Sequence, residues 1–332
     1  MTKVGIVGLG FIGKMHLGTL RRSGLATVVA VADRVPANLT GDGAAGNINI
    51  EGDTGLDGVT LYDSGESLIR DADVDAVILA LPTYLHKEFA LMAIERGLHV
   101  LCEKPLALTS SEGREICDTL HGYKKAFMVG HCLRFWPAYV KAADQVRSGA
   151  CGAVRHAHFA RNSPKPEWSW NEWLMDERLS GGALLDLHIH DIDFANYLSG
   201  RPQHVEAVGV RQGAEGIEQV NALYRYANDV VVTLDGGWGH PASFPFRMAF
   251  RIVGTEATLV FDSALDMDLH VYPCEGEAER IPASEGDGYE YEQRYFFDCI
   301  DRGVLPTEAT ADSALEALEL AELEQATIQH NG

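Results

Sequence analysis

The tightest constraint on the fold lies within the first thirteen residues. Val4-Gly5-Ile6-Val7 reads as a short buried strand, and Gly8-Leu9-Gly10-Phe11-Ile12-Gly13 follows it and opens a helical pattern running from Ile12 to Ser23. A G-x-G-x-x-G between a strand and a helix is the phosphate turn of a dinucleotide-binding βαβ unit. Gly8 is read as the tight turn, Gly10 as the point where a pyrophosphate nears the backbone, and Gly13 as the residue allowing close helix–strand packing. The N–H groups around Phe11 and Ile12 and the positive end of the helix dipole then face the phosphates. A second strand, Val28 to Ala32, ends at Asp33. Its carboxylate suits the adenosine ribose hydroxyls and repels a 2′-phosphate, which favours NAD. Arg34 keeps NADP open, because it is read as stacking on adenine, as pairing with a 2′-phosphate, or as a solvated surface charge.

Further strands are expected at Ala76–Leu81, closed by Pro82, at His99–Cys102 and at Ala126–Gly130, with a helix over Glu88–Arg96. Strands alternating with helices imply right-handed crossovers and a parallel sheet. Residues 37–60, rich in Gly, Asn and Asp, read as a loop with at most a weak helical turn and as a candidate mobile segment. The second half changes character. One long helix is expected over Gly182–Leu198, followed by strands near 204–211, 217–226, 229–237, 246–253, 256–261 and 268–272, then helices over 289–302 and 310–329. Successive strands without helices between them imply antiparallel pairing. A chain of 332 residues exceeds what one core usually supports. The expected organisation is an α/β Rossmann domain over 1–132, with a doubly wound parallel sheet. An α+β domain over 133–332, with an open and mainly antiparallel sheet, follows it. The C-terminal helix is expected to pack back on the first domain.

The net charge of −21 argues against nucleic acid and anionic membrane surfaces as partners. The six cysteines form no C-x-x-C pair, so neither a zinc knuckle nor a redox motif is indicated, and reduced thiols fit a cytoplasmic protein. Met1-Thr2-Lys3 leads straight into the first strand, which leaves no room for a secretory leader, and no apolar run is of membrane-spanning length.

Several separated motifs resemble the glucose–fructose oxidoreductase / inositol dehydrogenase / MocA family. They are the Gly8–Gly13 turn, Leu81-Pro82-Thr83-Tyr84-Leu85-His86, Glu103-Lys104-Pro105, Gly130-His131, Arg134-Phe135, and Gly181-Gly182-Ala183-Leu184-Leu185-Asp186 leading to His190 and Asp193. Their order covers nearly the whole chain, and the Glu-Lys-Pro together with Asp-x-x-x-His is far more specific than the glycine turn.

The resemblance implies an NAD(P)-dependent dehydrogenase that oxidises a secondary hydroxyl of a cyclitol, sugar or sugar derivative. In an open α/β sheet ligands sit beyond the carboxyl ends of the strands, which places Glu103 and Lys104 near the nicotinamide. Pro105 restricts Lys104 to an extended backbone. By the resemblance, Lys104 hydrogen-bonds the reacting oxygen, and His190 is the general base, a step that suits a near-neutral pKa. Asp186 binds a substrate hydroxyl. Asp186 and His190 stand at i and i+4 on the expected helix, so they share a face. The amine and the imidazole are expected to converge over the pyridine ring. Leu81, Pro82, Thr83 and His86 are assigned to the nicotinamide ribose, with helix capping as the alternative for Thr83. Arg134 is read as a substrate or cofactor contact or as an interdomain ion pair. Trp173, clustered with Trp168 and Trp170, is read as a sugar-stacking face or as interface packing.

His188-x-His190 does not read as a metal site, because two helix residues so spaced point apart, and no metal is expected. Val230, Val231, Val232 and Leu234 put apolar residues on both faces of the sheet, which implies a homodimer or homotetramer through it. Two rival readings remain: an NAD-dependent glycoside hydrolase of the same fold, and a non-catalytic NAD-binding regulator.

Overall fold

The computed structural model describes residues 1–40, 53–166, 169–211 and 216–331. They form two compact units: Met1–His131 with Tyr289–Leu315, and Cys132–Gly288 with Glu316–Gly332. The expected division had placed all of 133–332 in the second domain. Instead Tyr289–Leu315 groups with the first.

The first unit begins β1 (Lys3–Val7), α1 (Phe11–Ser23), β2 (Thr27–Ala32), β3 (Thr60–Tyr62), α2 (Gly65–Asp71), β4 (Ala76–Leu79), α3 (His86–Arg96), β5 (His99–Cys102), α4 (Ser110–Thr119) and β6 (Phe127–Val129). The strands pair in parallel in the order β3-β2-β1-β4-β5-β6. Every residue of β4 is buried, as a strand covered on both faces by helices requires. The helices absent from the sequence reading, α2 and α4, are short. Ser64 caps the first by accepting from the Ser67 N–H, and Thr109 caps the second by accepting from the Glu112 N–H. A 3-10 turn covers Pro36–Thr40. Half of the Gly- and Asn-rich segment expected to be a loop, residues 41–52 of 37–60, lies outside the described residues.

The second unit contains α5 (Pro137–Arg147), β7 (Val154–Pro164), α6 (Glu177–Ser180), α7 (Ile189–Ser199), β8 (His204–Arg211), β9 (Ile217–Arg225), β10 (Val231–His240), β11 (Arg247–Gly254), β12 (Ala257–Asp262), β13 (Leu269–Pro273) and β14 (Glu279–Ile281). The last helices are α8 (Gly288–Arg302) and α9 (Ala311–Asn331). The eight strands order as β14-β13-β12-β11-β7-β10-β9-β8. β7 pairs in parallel with β10, while the other described pairs of this sheet are antiparallel. Its inner face meets α5 and α7 through Tyr139, Phe159, Phe194, Phe250 and Phe261, whose rings pack edge-on or tilted.

One expectation is corrected here and a second is sharpened. The sheet is not apolar on both faces. Val232 and Leu234 are buried, but Val231, Thr233 and Asp235 alternate with them and share the outer face with His158, Asn162, Asn221 and Arg251. The long helix over Gly182–Leu198 is present and continuous, but it is not a regular α-helix throughout. Gly181 and Gly182, at its start, take left-handed φ values of 76° and 66°, Leu184–His188 winds as a π-turn, and α7 continues it from Ile189. The π-turn pushes His188 against β10, where Gly236 makes room. A Cβ on Gly236 would lie 2.4 Å from His188 Nδ1.

Candidate active site

In the first unit, the glycine turn is shaped by collisions that side chains would cause. Gly8 has φ +90°, and a Cβ there would lie 2.2 Å from the Ala80 carbonyl oxygen. A Cβ on Gly13 would lie 2.0 Å from the Gly8 carbonyl oxygen. Gly13 is therefore required by the turn itself more than by helix–strand packing, since the β4-side neighbour, Ala80 Cβ, stays 3.6 Å away. Gly10 differs: among the described residues no atom beyond its chain neighbours lies within 4 Å of its absent Cβ. The start of α1 carries no acidic residue and no side-chain cap. Phe11 and Ile12 open it, and both remain partly exposed. An open approach to the N–H end of a helix fits a pyrophosphate. Asp33 closes the turn. Its Oδ2 accepts from the Leu9 N–H at 2.6 Å and from Asn38 Nδ2 at 3.0 Å, and Oδ1 accepts from the Val35 N–H at 2.7 Å. Arg34 is exposed and ion-paired with Glu66.

Beyond β4, Leu81 and Pro82 lead into a 3-10 turn, Thr83–Leu85. Thr83 is buried and caps nothing: the N-cap position of α3 is Leu85, without a side-chain bond. His86 is fully enclosed and bridges two carbonyls, with Nδ1 2.6 Å from Pro105 O and Nε2 2.8 Å from Leu81 O. Burial pushes its pKa down, against the two carbonyls that favour the cation. The imidazole thus ties the end of β4 to the Glu-Lys-Pro turn beyond β5. In that turn Glu103 is buried, Lys104 is half-buried and the Lys104–Pro105 peptide is cis. Glu103 Oε1 lies 2.8 Å from His16 Nε2, and Oε2 accepts from the Lys104 N–H at 3.2 Å.

In the second unit, Asp186 lies inside the π-turn and is partly exposed, and His190, in the first turn of α7, is 7% exposed. The insertion of a π-turn means that their i, i+4 spacing is not that of a regular α-helix. Cys132 Sγ lies 4.0 Å from His190 Nδ1. Three buried charge pairs surround this segment. Arg134 donates to both Asp193 oxygens, Nε to Oδ2 at 2.9 Å and Nη2 to Oδ1 at 2.5 Å, so the pair lies within the second unit. Arg161 Nε donates to Asp191 Oδ2 at 3.0 Å. His188 Nε2 approaches Glu324 Oε2 at 3.0 Å but poorly aligned for a hydrogen bond, while Glu324 Oε1 accepts from the Tyr224 hydroxyl at 2.7 Å. Burial would push the His188 imidazole down, but the Glu324 charge outweighs it and holds the group above its ordinary value. Burial raises the Asp191 carboxyl despite Arg161 and His188 beside it. Trp173 is half-buried on a 3-10 stretch, Trp170–Met175, Trp170 is exposed, and Trp168 lies outside the described residues.

Sequence reasoning missed His16, Gln293, Cys132, Arg161, Asp191 and Glu324. Glu324 could have been found, because it continues the buried stripe Ala317, Leu320, Ala321 and Ile328 of α9. Among the described residues, His16, Glu103 and Glu292 form a buried cluster with metal-ligand atom types within 4.8 Å of one another. Both His16 nitrogens are already engaged there, by Glu103 and by Gln293 Nε2 at 2.7 Å.

A parallel sheet in this order with a glycine turn after β1 defines a nucleotide-dependent enzyme class, and comparison with known proteins narrows it. Residues 2–131 match the model of an oxidoreductase family with an NAD-binding Rossmann fold, Gfo/Idh/MocA, and residues 139–260 match that family's C-terminal domain. Inositol 2-dehydrogenase of Acidothermus cellulolyticus is 30% identical over 271 residues, 79% of this chain and 73% of that one. The 2,7-anhydro-N-acetylneuraminate hydratase of Mediterraneibacter gnavus is 31% identical over 264 residues, 77% of this chain and 66% of that one. A levoglucosan dehydrogenase solved with NADH and levoglucosan superposes with a TM-score of 0.85 at 22% identity, over 100% of this chain and 98% of that one. The chain belongs to the Gfo/Idh/MocA oxidoreductase family and is an NAD-dependent oxidoreductase. No helix among the described residues is long and apolar enough to cross a membrane.

Proposed function

We propose that this protein oxidises a secondary hydroxyl of a cyclitol, a sugar or an anhydro-sugar. The observation that carries the reading is the position of Lys104. It lies just past the carboxyl end of β5, two strands along from β1, whose own carboxyl end feeds the glycine turn. In sheets of this order the dinucleotide lies across those ends. Backbone N–H groups from Gly8 to Gly13 hold its pyrophosphate and Asp33 its adenosine ribose, while Leu81, Pro82, Thr83, His86 and Glu103 frame the nicotinamide side. Bound NAD supplies the hydride acceptor.

Lys104 donates to the substrate oxygen and stabilises the negative charge that grows there. His190 takes the hydroxyl proton, and Asp186 accepts from a substrate hydroxyl to orient it. Arg134, held by both Asp193 oxygens, serves to stiffen the start of that region, and Trp173 offers a ring face to the sugar. NADP use requires Arg34 to leave Glu66 and Asp33 to tolerate a phosphate, so NAD is the preferred cofactor. The outer face of the second sheet, with Val208 and Val210 exposed at its β8 edge, pairs with another copy of the chain. Six unbridged cysteines are compatible with a reducing compartment, and a cytoplasmic location is part of this reading.

Lys104→Ala and His190→Ala should each lower turnover on a polyol and sugar panel by about 10²–10⁴-fold while NADH affinity changes little. Unchanged turnover in both ends the proposal. The hydratase relative favours one second reading, a reaction in which the cofactor is reduced and reoxidised within each cycle. Product formation without net NADH release would select it.

A further inference from the structure

We propose that His16 and Gln293 form a buried relay that keeps Glu103 ionised behind Lys104, which makes His16 a positioning residue for the reaction. The inference rests on the reading of Lys104 given above.

His16 lies on α1, three residues past Gly13, and is fully buried, as is Gln293 on α8. Gln293 Nε2 stands 2.7 Å from His16 Nδ1. An amide nitrogen only donates, so Nδ1 presents its lone pair and the ring proton sits on Nε2. That proton is donated to Glu103 Oε1 at 2.8 Å, and Oε2 accepts from the Lys104 main-chain N–H at 3.2 Å. Each carboxylate oxygen therefore holds a donor. The seat is cut to the anion on its remaining side by Gly130, where a Cβ would come within 3.1 to 3.2 Å of the Glu103 carboxyl atoms.

The groups facing Glu103 come from four elements. They are His16 on α1, His86 at the start of α3, Glu292 and Gln293 on α8, and Cys102 and Lys104 along its own segment. Of these, His16 and Lys104 favour the ionised form of Glu103. Burial pushes the Glu103 carboxyl up, yet the hydrogen bond from His16, the favourable electrostatics of His16 and then of Lys104, and the Lys104 N–H outweigh burial and hold it below its ordinary range. An ionised Glu103 fixes the Lys104 main chain and supplies a counter-charge close to its ammonium. A protonated Glu103 would lose the counter-charge and hold the main-chain N–H less strongly. The histidine three residues beyond the phosphate turn thereby couples the helix that receives the pyrophosphate to the lysine that receives the substrate oxygen.

The test uses the full chain without cofactor, labelled with 13C at the Glu carboxyls and 15N in the His rings, with Glu103→Gln and His16→Phe for assignment. The wild-type His16 ring should show the Nε2–H tautomer at pH 7 and Glu103 should titrate below the usual glutamate range. In His16→Phe the Glu103 midpoint should rise by about one pH unit or more, while His16→Gln, whose amide reaches the same oxygen, should recover over half of that shift. With NAD and levoglucosan or myo-inositol, the acid limb of kcat should move with the carboxyl. A purely structural loss would lower the rate at all pH values and leave the limb in place. If His16→Phe fails to fold, Gln293→Leu should move the same midpoint in the same direction by less. A doubly protonated His16 at pH 7, or a Glu103 midpoint unmoved in His16→Phe and Gln293→Leu, overturns the relay. Lys104→Ala separates the two readings. If it is fully active, the role of Lys104 falls while the NMR result stands. If it is inactive beside an unmoved Glu103, only the relay falls.

Discussion

The two units position their candidate residues by opposite means. In the first, the functional geometry is a matter of backbone: three glycines, a proline and a carboxylate that accepts from main-chain N–H groups. In the second, it is a matter of side chains. A π-turn is pinned between buried charges that arrive from distant parts of the chain, Arg134 on Asp193, Arg161 on Asp191 and Glu324 on His188. Backbone-built sites trade binding for stability only where an added atom collides. Charge-built sites put both at stake together, because a buried ion stripped of its partner is costly.

The largest effect expected from that contrast is in the second unit. Asp193→Ala leaves the Arg134 guanidinium buried without its bidentate partner and should destabilise the fold by about 3–5 kcal/mol in urea unfolding. A loss under about 1 kcal/mol would show that the arginine finds solvent and would break the comparison. The first unit should respond differently at two neighbouring positions. Gly13→Ala must displace the Gly8 carbonyl, so it should lower both the melting temperature and NADH affinity. Gly10→Ala meets no described atom beyond its chain neighbours and should lower NADH affinity, read by fluorescence titration, at an unchanged melting temperature. Equal melting losses in both would contradict the open approach at Gly10.

A third expectation concerns pH. His188 is held above its ordinary value in the folded chain, so its pairing with Glu324 contributes fully below the unfolded-state pKa of about 6.5. The contribution is lost as pH rises through the folded-state value. The stability gap between wild type and Glu324→Gln should therefore be widest near pH 6 and narrow towards pH 9. A gap that widens with pH would mean that His188 is neutral throughout. The smallest effect belongs to the surface pair beside the cofactor turn. Glu66→Gln frees Arg34 and should raise the NADP-to-NAD preference by a fewfold without changing the melting temperature. No change in preference would remove Arg34 from cofactor selection.

The same contrast explains what could be read from the residues alone. The Gly8–Gly13 turn, Asp33 and the Glu-Lys-Pro segment were legible because each is a short local pattern at the end of an apolar strand. The family resemblance added Asp186 and His190, but the π-turn that holds Asp186 was not foreseen, since it leaves no period in the sequence and packs against Gly236 in a strand far along the chain. His16 passed unnoticed as one residue of an ordinary helix; only the approach of Glu103 and Gln293 gives it a role. β7 escaped because His156, His158, Arg161, Asn162 and Ser163 break its apolar alternation, although the sheet is centred on it. Arg161 is tolerable there only because Asp191 meets it.

That central strand also sets the order of events during synthesis. β7 leaves the ribosome well before either neighbour, since the side chains it meets on β10 and β11 lie 75 and 87 residues further on. Until both arrive, a strand carrying Phe159 and an uncompensated arginine has no lateral hydrogen-bond partner within its own domain. The second unit should therefore gain structure late and cooperatively, once β10 and β11 have been made.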